Sequence, residues 1–149
     1  KAINDSYGHN VGDHALRQVA RALRGALRPY DLCVRYAGDE FIIIVADCSR
    51  ETAELKRREL QQRVAAIELE ARPGKPLRLA ASAGVAVFPH DGLTDEALFV
   101  SADHSMYRDK AARRGRAVVT RAQRPDFIAA EIYDTTPPQL TAPLSHALS

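Results

Sequence analysis

Leu32-Cys33-Val34-Arg35-Tyr36-Ala37-Gly38-Asp39-Glu40-Phe41-Ile42-Ile43-Ile44-Val45-Ala46 is the stretch that decides the fold. Two apolar segments, Leu32–Tyr36 and Phe41–Ala46, flank Ala37-Gly38-Asp39-Glu40, which predicts a β-hairpin with a glycine in its turn. The unbroken β-branched run Ile42 to Val45 predicts a strand covered on both faces. A turn holding Gly38 lets backbone N–H groups approach a phosphate, because no side chain stands in the way. Asp39 at the tip can hold a hard cation, and Glu40 points to the other face once the strand has begun. The same four residues also make a plain solvated acidic turn, which is the commoner reading of such a turn alone.

Upstream, Asn4-Asp5-Ser6-Tyr7-Gly8-His9-Asn10 reads as a polar loop. A helix follows, with Leu16, Val19, Ala20, Leu23 and Leu27 on one buried face and Pro29 at its exit. Downstream, a charged helix is predicted from about Arg50 to Leu69, with Leu60, Val64 and Ile67 turned inward. Pro73-Gly74-Lys75-Pro76 reads as a loop, and Leu77–Phe88 as a central strand closed by Pro89-His90-Asp91-Gly92. Thr94 suits an N-cap, with Asp95 and Glu96 in the first turn of a helix that runs to about Arg113. Ala97, Leu98, Ala102 and Met106 mark its inner face, and Ala117–Thr120 forms a last short strand. From about Arg121 the pattern fades into a mostly irregular tail that holds four of the eight prolines. Helices and strands alternating in this way predict an α/β chain, an α+β sandwich with a central, mostly antiparallel sheet flanked by helices.

Composition narrows the function classes. At 149 residues, 46% apolar and 27% charged, the chain has the size and make-up of one soluble globular domain. A net charge of +2 gives no reason to expect binding to a nucleic-acid polymer. Cys33 and Cys48 make neither a disulfide framework nor a metal-type pair, so a reduced cytoplasmic setting is expected. No apolar run nears the roughly 20 residues that span a bilayer, and no signal peptide is visible. The chain opens on Lys1 rather than methionine, so a fragment or a processed piece is expected.

Three further sets of side chains can carry chemistry. Lys110 and Arg114, four apart, share one helix face; an ammonium beside a forked guanidinium suits a polyphosphate, and equally a solvated basic helix end. Asn4 and Asp13 bracket the first loop. An aspartate can accept two hydrogen bonds from a guanine edge and an asparagine can complement it, although both residues also cap loops and helices. Arg28 and Asp31, at the helix exit before the hairpin, either bind a guanine nucleotide or pair with each other.

The order and spacing of these pieces carry a resemblance. Lys1-Ala2-Ile3-Asn4-Asp5, then Tyr7-Gly8-His9 and Gly12-Asp13, is similar to the "FKxINDxxGHxxGD" segment of GGDEF diguanylate cyclases. Arg35-Tyr36-Ala37-Gly38-Asp39-Glu40-Phe41 resembles their "RYGGDEF" signature, with alanine for the first glycine. Ser82-Ala83-Gly84-Val85-Ala86, the Ala102-Asp103…Met106-Tyr107…Lys110 run and Arg114 resemble the later blocks "SxGxA" and "ADxAMYxAKxxGR". The resemblance spans Lys1 to about Thr120, which makes residues 1–120 a partial GGDEF domain and residues 121–149 a tail.

By that resemblance, Asn4 and Asp13 would read the guanine base, and Ala37 and Gly38 would cradle the phosphates. Asp39 would hold the catalytic Mg²⁺ (or Mn²⁺), Glu40 would support the turn, and Lys110 and Arg114 would clamp the terminal phosphates. Arg116 stands near enough to substitute for Arg114. Arg28 and Asp31 match the family's inhibitory product site, whose second arginine falls at Glu59, beside Arg58. The implied activity condenses two GTP into cyclic di-GMP and pyrophosphate in a homodimer, arranged by an upstream sensory or dimerisation module that can also anchor the parent protein to a membrane. The alternative is a degenerate module that binds GTP or cyclic di-GMP without catalysis. The family's Asp-rich first strand, which precedes the equivalent of Lys1 and supplies a metal ligand, is missing from the nucleotidyl-cyclase-like sheet, so the chain alone is expected to be weak or inactive.

Overall fold

A computed structural model describes residues 2–114 and 130–134. In chain order the elements are α1 (Ala2–Tyr7), α2 (His9–Arg24), β1 (Leu32–Ala37), β2 (Glu40–Ile44), α3 (Arg50–Ala65), β3 (Leu69–Arg72), β4 (Lys75–Leu77), β5 (Leu79–Ala83), α4 (Asp95–Arg114) and β6 (Ala130–Asp134). The strands form three antiparallel ladders, β1–β2, β3–β4 and β5–β6. Helices α3 and α4 both pack on β5, and α2 packs on α3. The fold is α+β with antiparallel strands, the class expected for this chain.

The core forms where the amphipathic faces meet. Ala15, Val19 and Leu23 of α2 meet Phe41 and Ile43 of β2, Leu60 and Val64 of α3, and Leu69, Leu77, Leu79 and Ala81. Ser49 caps α3 by accepting the Thr52 N–H at 3.2 Å. Thr94 does the same for α4, its hydroxyl accepting from the Ala97 N–H at 3.2 Å. Satisfying one orphan donor in this way sets where each helix starts.

Several expectations are corrected. The polar stretch read as a loop is helical: α1 covers Asn4 to Tyr7, and only Gly8, at φ +89°, separates it from α2. Helix α2 ends at Arg24, before Pro29, and α3 ends at Ala65, which leaves Leu27 and Ile67 beyond the helices but packed on the core. Strand β2 is not covered on both faces along its length: Phe41 and Ile43 are buried, Ile42 is half-buried and Ile44 is 52% exposed. β-Branched residues suit a half-buried pleat as well as a fully covered one, so the run alone does not settle burial.

The stretch read as the loop Pro73–Pro76 is the tip of a tight hairpin, β3–β4, with Gly74 at φ +74°. The long strand expected over Leu77–Phe88 ends as β5 at Ala83, where α4 comes into backbone contact with Gly84. Ala97, expected on the inner face of α4, is exposed, whereas Ala102 is buried. Ala130–Asp134, within the expected irregular tail, pairs as β6 with β5 and lies beside β2 and α1. The strand expected at Ala117–Thr120 lies outside the described residues.

Candidate functional site

The hairpin is built as predicted. Leu32 to Arg35 pair with Ile44 to Phe41, and the register shifts between Arg35 and Ala37, so that Ala37 faces Glu40 across the turn. Gly38 takes φ +48°, with open space where a Cβ would stand. Asp47 is the only non-glycine residue with positive φ among the described residues, so Ala37 occupies a conformation any residue tolerates. The turn is also pinned from within: the Arg35 Nε–H donates to the Gly38 carbonyl at 2.8 Å. Asp39 and Glu40 are both half-buried at this turn.

The α1–α2 junction brings Asn4 against Gly12, the residue before Asp13. Gly8 closes the last turn of α1 by donating to the Asn4 carbonyl at 2.9 Å, and its φ of +89° turns the chain so that α1 packs against α2. The Asn4 side chain then lies on the backbone of buried Gly12, the residue before Asp13. A cavity of about 340 Å³ opens beside Asp13, lined by Arg17, Arg24, Cys33, Arg35 and Phe41. Burial pushes the Cys33 thiol up, so it lines this cavity as a neutral group. Arg35 faces the cavity and also holds the turn, and so joins the two halves of the predicted site. Sequence reasoning gave Arg35 no role; its place two residues before the Ala37-Gly38 turn was the available signal.

A larger apolar cavity of about 600 Å³ lies between β2, α3, α4 and the segment after β5, with Leu60, Val85 and Leu98 in its walls. None of the predicted site residues lines it. Three arginines beside Asp13 suit a phosphorylated, hydrogen-bonding ligand, whereas that apolar cavity does not.

Lys110 is half-buried near the end of α4, and Arg114 ends the same helix, so the i, i+4 face expected for them exists in the backbone. The Arg114 side chain and Arg116 lie outside the described residues.

At the helix exit, Asp31 is buried to 8% exposure and accepts from two backbone N–H groups, Arg28 at 2.9 Å and Ala46 at 3.3 Å. It ties the exit of α2 to the end of β2. The Arg28 guanidinium turns instead to the Tyr30 hydroxyl at 3.2 Å and stays exposed. Glu59, at the position of the second arginine, is engaged by Lys56 at 2.8 Å and Arg63 at 3.3 Å.

Among the described residues no three His, Cys, Asp or Glu side chains converge on a point. Mg²⁺ needs fewer: it is commonly held by one or two carboxylates together with substrate phosphates and water. Asp39, beside an open glycine turn, fits that requirement in kind. No helix among the described residues is long and apolar enough to cross a membrane.

The domain is thus an antiparallel α+β fold whose glycine turn is held by Arg35, an arginine that also lines the guanidinium-rich cavity beside Asp13. Residues 1–116 match the family described as "Diguanylate cyclase, GGDEF domain", and the chain belongs to that family. It is 39% identical over 117 residues to diguanylate cyclase DosC of Escherichia coli K12, covering 78% of this chain and 25% of that protein. It is 36% identical over 117 residues to the cyclic di-GMP phosphodiesterase NbdA of Pseudomonas aeruginosa, covering 78% of this chain and 15% of that one. The chain thus spans at most about a quarter of the length of these relatives. In three dimensions it resembles the crystal structure of the GGDEF domain of YfiN (TpbB) from P. aeruginosa, with a TM-score of 0.67, 33% identity, and 77% of this chain and 70% of that one covered.

Proposed function

We propose that the chain forms the GTP-binding half-site of a diguanylate cyclase, in which two copies, each holding one GTP, face each other to make cyclic di-GMP. The observation that carries this reading is Arg35, which lines the cavity beside Asp13 and holds the Gly38 carbonyl of the turn. Asn4 and Asp13 hold the guanine edge, Ala37 and Gly38 lie along the phosphates, and Lys110 and Arg114 take the terminal phosphates. Asp39, supported by Glu40, holds Mg²⁺ or Mn²⁺, which when bound neutralises charge on the phosphates and activates the attacking hydroxyl. Those contacts orient one GTP so that its α-phosphorus meets the 3′-hydroxyl of the other, and pyrophosphate leaves. Residues 1–120 make up the body of this domain and 121–149 a tail that returns strand β6 to β5, in a cytoplasmic setting with an upstream sensory or dimerisation module.

A second reading has its own support. NbdA, with similar identity, is named for phosphodiesterase rather than cyclase activity, so a domain of this family can stand in a protein whose named activity is different. The chain would then bind GTP or cyclic di-GMP and signal by conformation, with Arg28 and Asp31 as the product site. Asp31 is already committed to two backbone N–H groups, which leaves Arg28 as the side chain available to a ligand there.

Incubation with GTP and Mg²⁺, with chromatography for cyclic di-GMP, separates the two. Product that disappears in Asp39→Asn at unchanged melting temperature supports the cyclase. GTP binding by a dimeric form extended through the family's Asp-rich first strand that yields no product with either Mg²⁺ or Mn²⁺ overturns it in favour of the binding module.

A further inference from the structure

Helix α4 is seated on β5 at two points one to two turns apart. At the first, a Cβ on Gly84 would come within 1.9 Å of the Ala102 carbonyl oxygen and 2.4 Å of the Met106 nitrogen, so helix and chain meet backbone to backbone. At the second, the Asp109 carboxylate accepts from three donors on two elements. Its Oδ1 takes the Arg57 Nη1–H of α3 at 3.0 Å. Its Oδ2 takes the Gln61 amide of α3 at 2.7 Å and the Ala83 N–H of β5 at 3.3 Å. Gln61, 5% exposed, also donates to the Ala81 carbonyl of β5 at 3.0 Å, and Arg57 is steadied by Glu54 at 2.8 Å. Both carboxylate oxygens are therefore used, and in a shielded setting: the Arg57 and Asp109 side chains are each 15% exposed.

We infer that Asp109, held by Arg57 and Gln61, is a positioning residue that fixes the rotation of α4 and thereby aims Lys110 at the terminal phosphates of the bound nucleotide. This rests on the reading that Lys110 takes those phosphates. Successive residues on a helix are turned by about 100°, so locking Asp109 toward β5 and α3 sets the direction in which its neighbour Lys110 leaves the helix. Gly84 alone fixes the closeness of α4 and leaves it free to roll about its axis. The carboxylate removes that freedom, because its acceptors are directional and its three donors come from two different elements.

The test is binding of GTP and of GMP to the full chain in Mg²⁺, by calorimetry, with melting temperature recorded for each variant. GMP shares the base and sugar but lacks the terminal phosphates. In Asp109→Ala and in Arg57→Met, GTP affinity falls about tenfold while GMP affinity stays within twofold. The shape-conserving Asp109→Asn falls in between, and the double variant loses no more than either single one. Equal losses for GTP and GMP, or no loss of GTP affinity in any of the three single variants, overturns the inference while leaving the nucleotide-binding reading intact. If the unaltered chain binds no GTP, both fall together.

Discussion

The Asn4 side chain lies so close to Gly12 that a Cβ there would stand 1.7 Å from its Oδ1. Gly12 is in the first half of α2 and buried, and its missing side chain is the space that Asn4 occupies. A glycine in mid-helix costs roughly 0.5–1 kcal/mol relative to alanine, and here that cost makes room for a side chain beside Asp13.

Gly12→Ala therefore separates stability from binding. The clash is with the end of a side chain that can swing out, and alanine recovers helix propensity of about 1 kcal/mol. The melting temperature should hold or rise, while GTP affinity drops about tenfold as Asn4 leaves its place. A thermal scan with and without GTP reads both; undiminished stabilisation by GTP in the variant would remove Asn4 from the site.

Ala37→Gly brings the turn to the family's double glycine. Because Ala37 is not at positive φ, the substitution relieves no strain and adds only chain entropy to the unfolded state. The expected result is a loss of about 0.5–1 kcal/mol, seen in denaturant unfolding, with GTP affinity unchanged within twofold. A large gain in affinity would show that the alanine methyl obstructs the phosphates.

Asp91 gives an acid-sensitive clasp between the loop after β5 and the start of α3. Burial pushes its carboxyl up, but the Val87 N–H at 2.7 Å and the hydrogen bond and charge of Arg50 outweigh this and hold it below the ordinary value of 3.8. A depressed carboxyl contributes stability that is present above its unfolded value and lost as pH falls through the lower folded one. Asp91→Asn should lower the melting temperature at pH 7 and flatten its decline between about pH 5 and 2. Parallel melting curves for the two proteins across that range would show that Asp91 contributes nothing.

Periodicity and turn chemistry made much of the frame legible: the hairpin around Gly38, the buried face Leu16–Val19–Leu23 and the Thr94 cap all stand in the structure. These are local signals, where one residue's preference and its neighbours agree. The helical state of Asn4 to Tyr7 was not legible, because polar residues are compatible with helix and loop alike until Gly8 turns the chain back on itself. Nor was β6, which a proline-rich stretch conceals and which pairs with β5 about fifty residues earlier in the chain.

By itself the sequence determined the family, the α+β class and the residue types available for a nucleotide, because those depend on side-chain identity in a fixed order. Only the tertiary structure decided which of them meet. It placed Arg35 between the Asp13 cavity and the turn, committed Asp31 to backbone N–H groups, and brought Asp109 to Arg57 across 52 positions of sequence. The physical reason is that charged and polar side chains have many near-equivalent partners in an open chain. Which one is taken depends on where the packed helices and strands place the backbone that carries them.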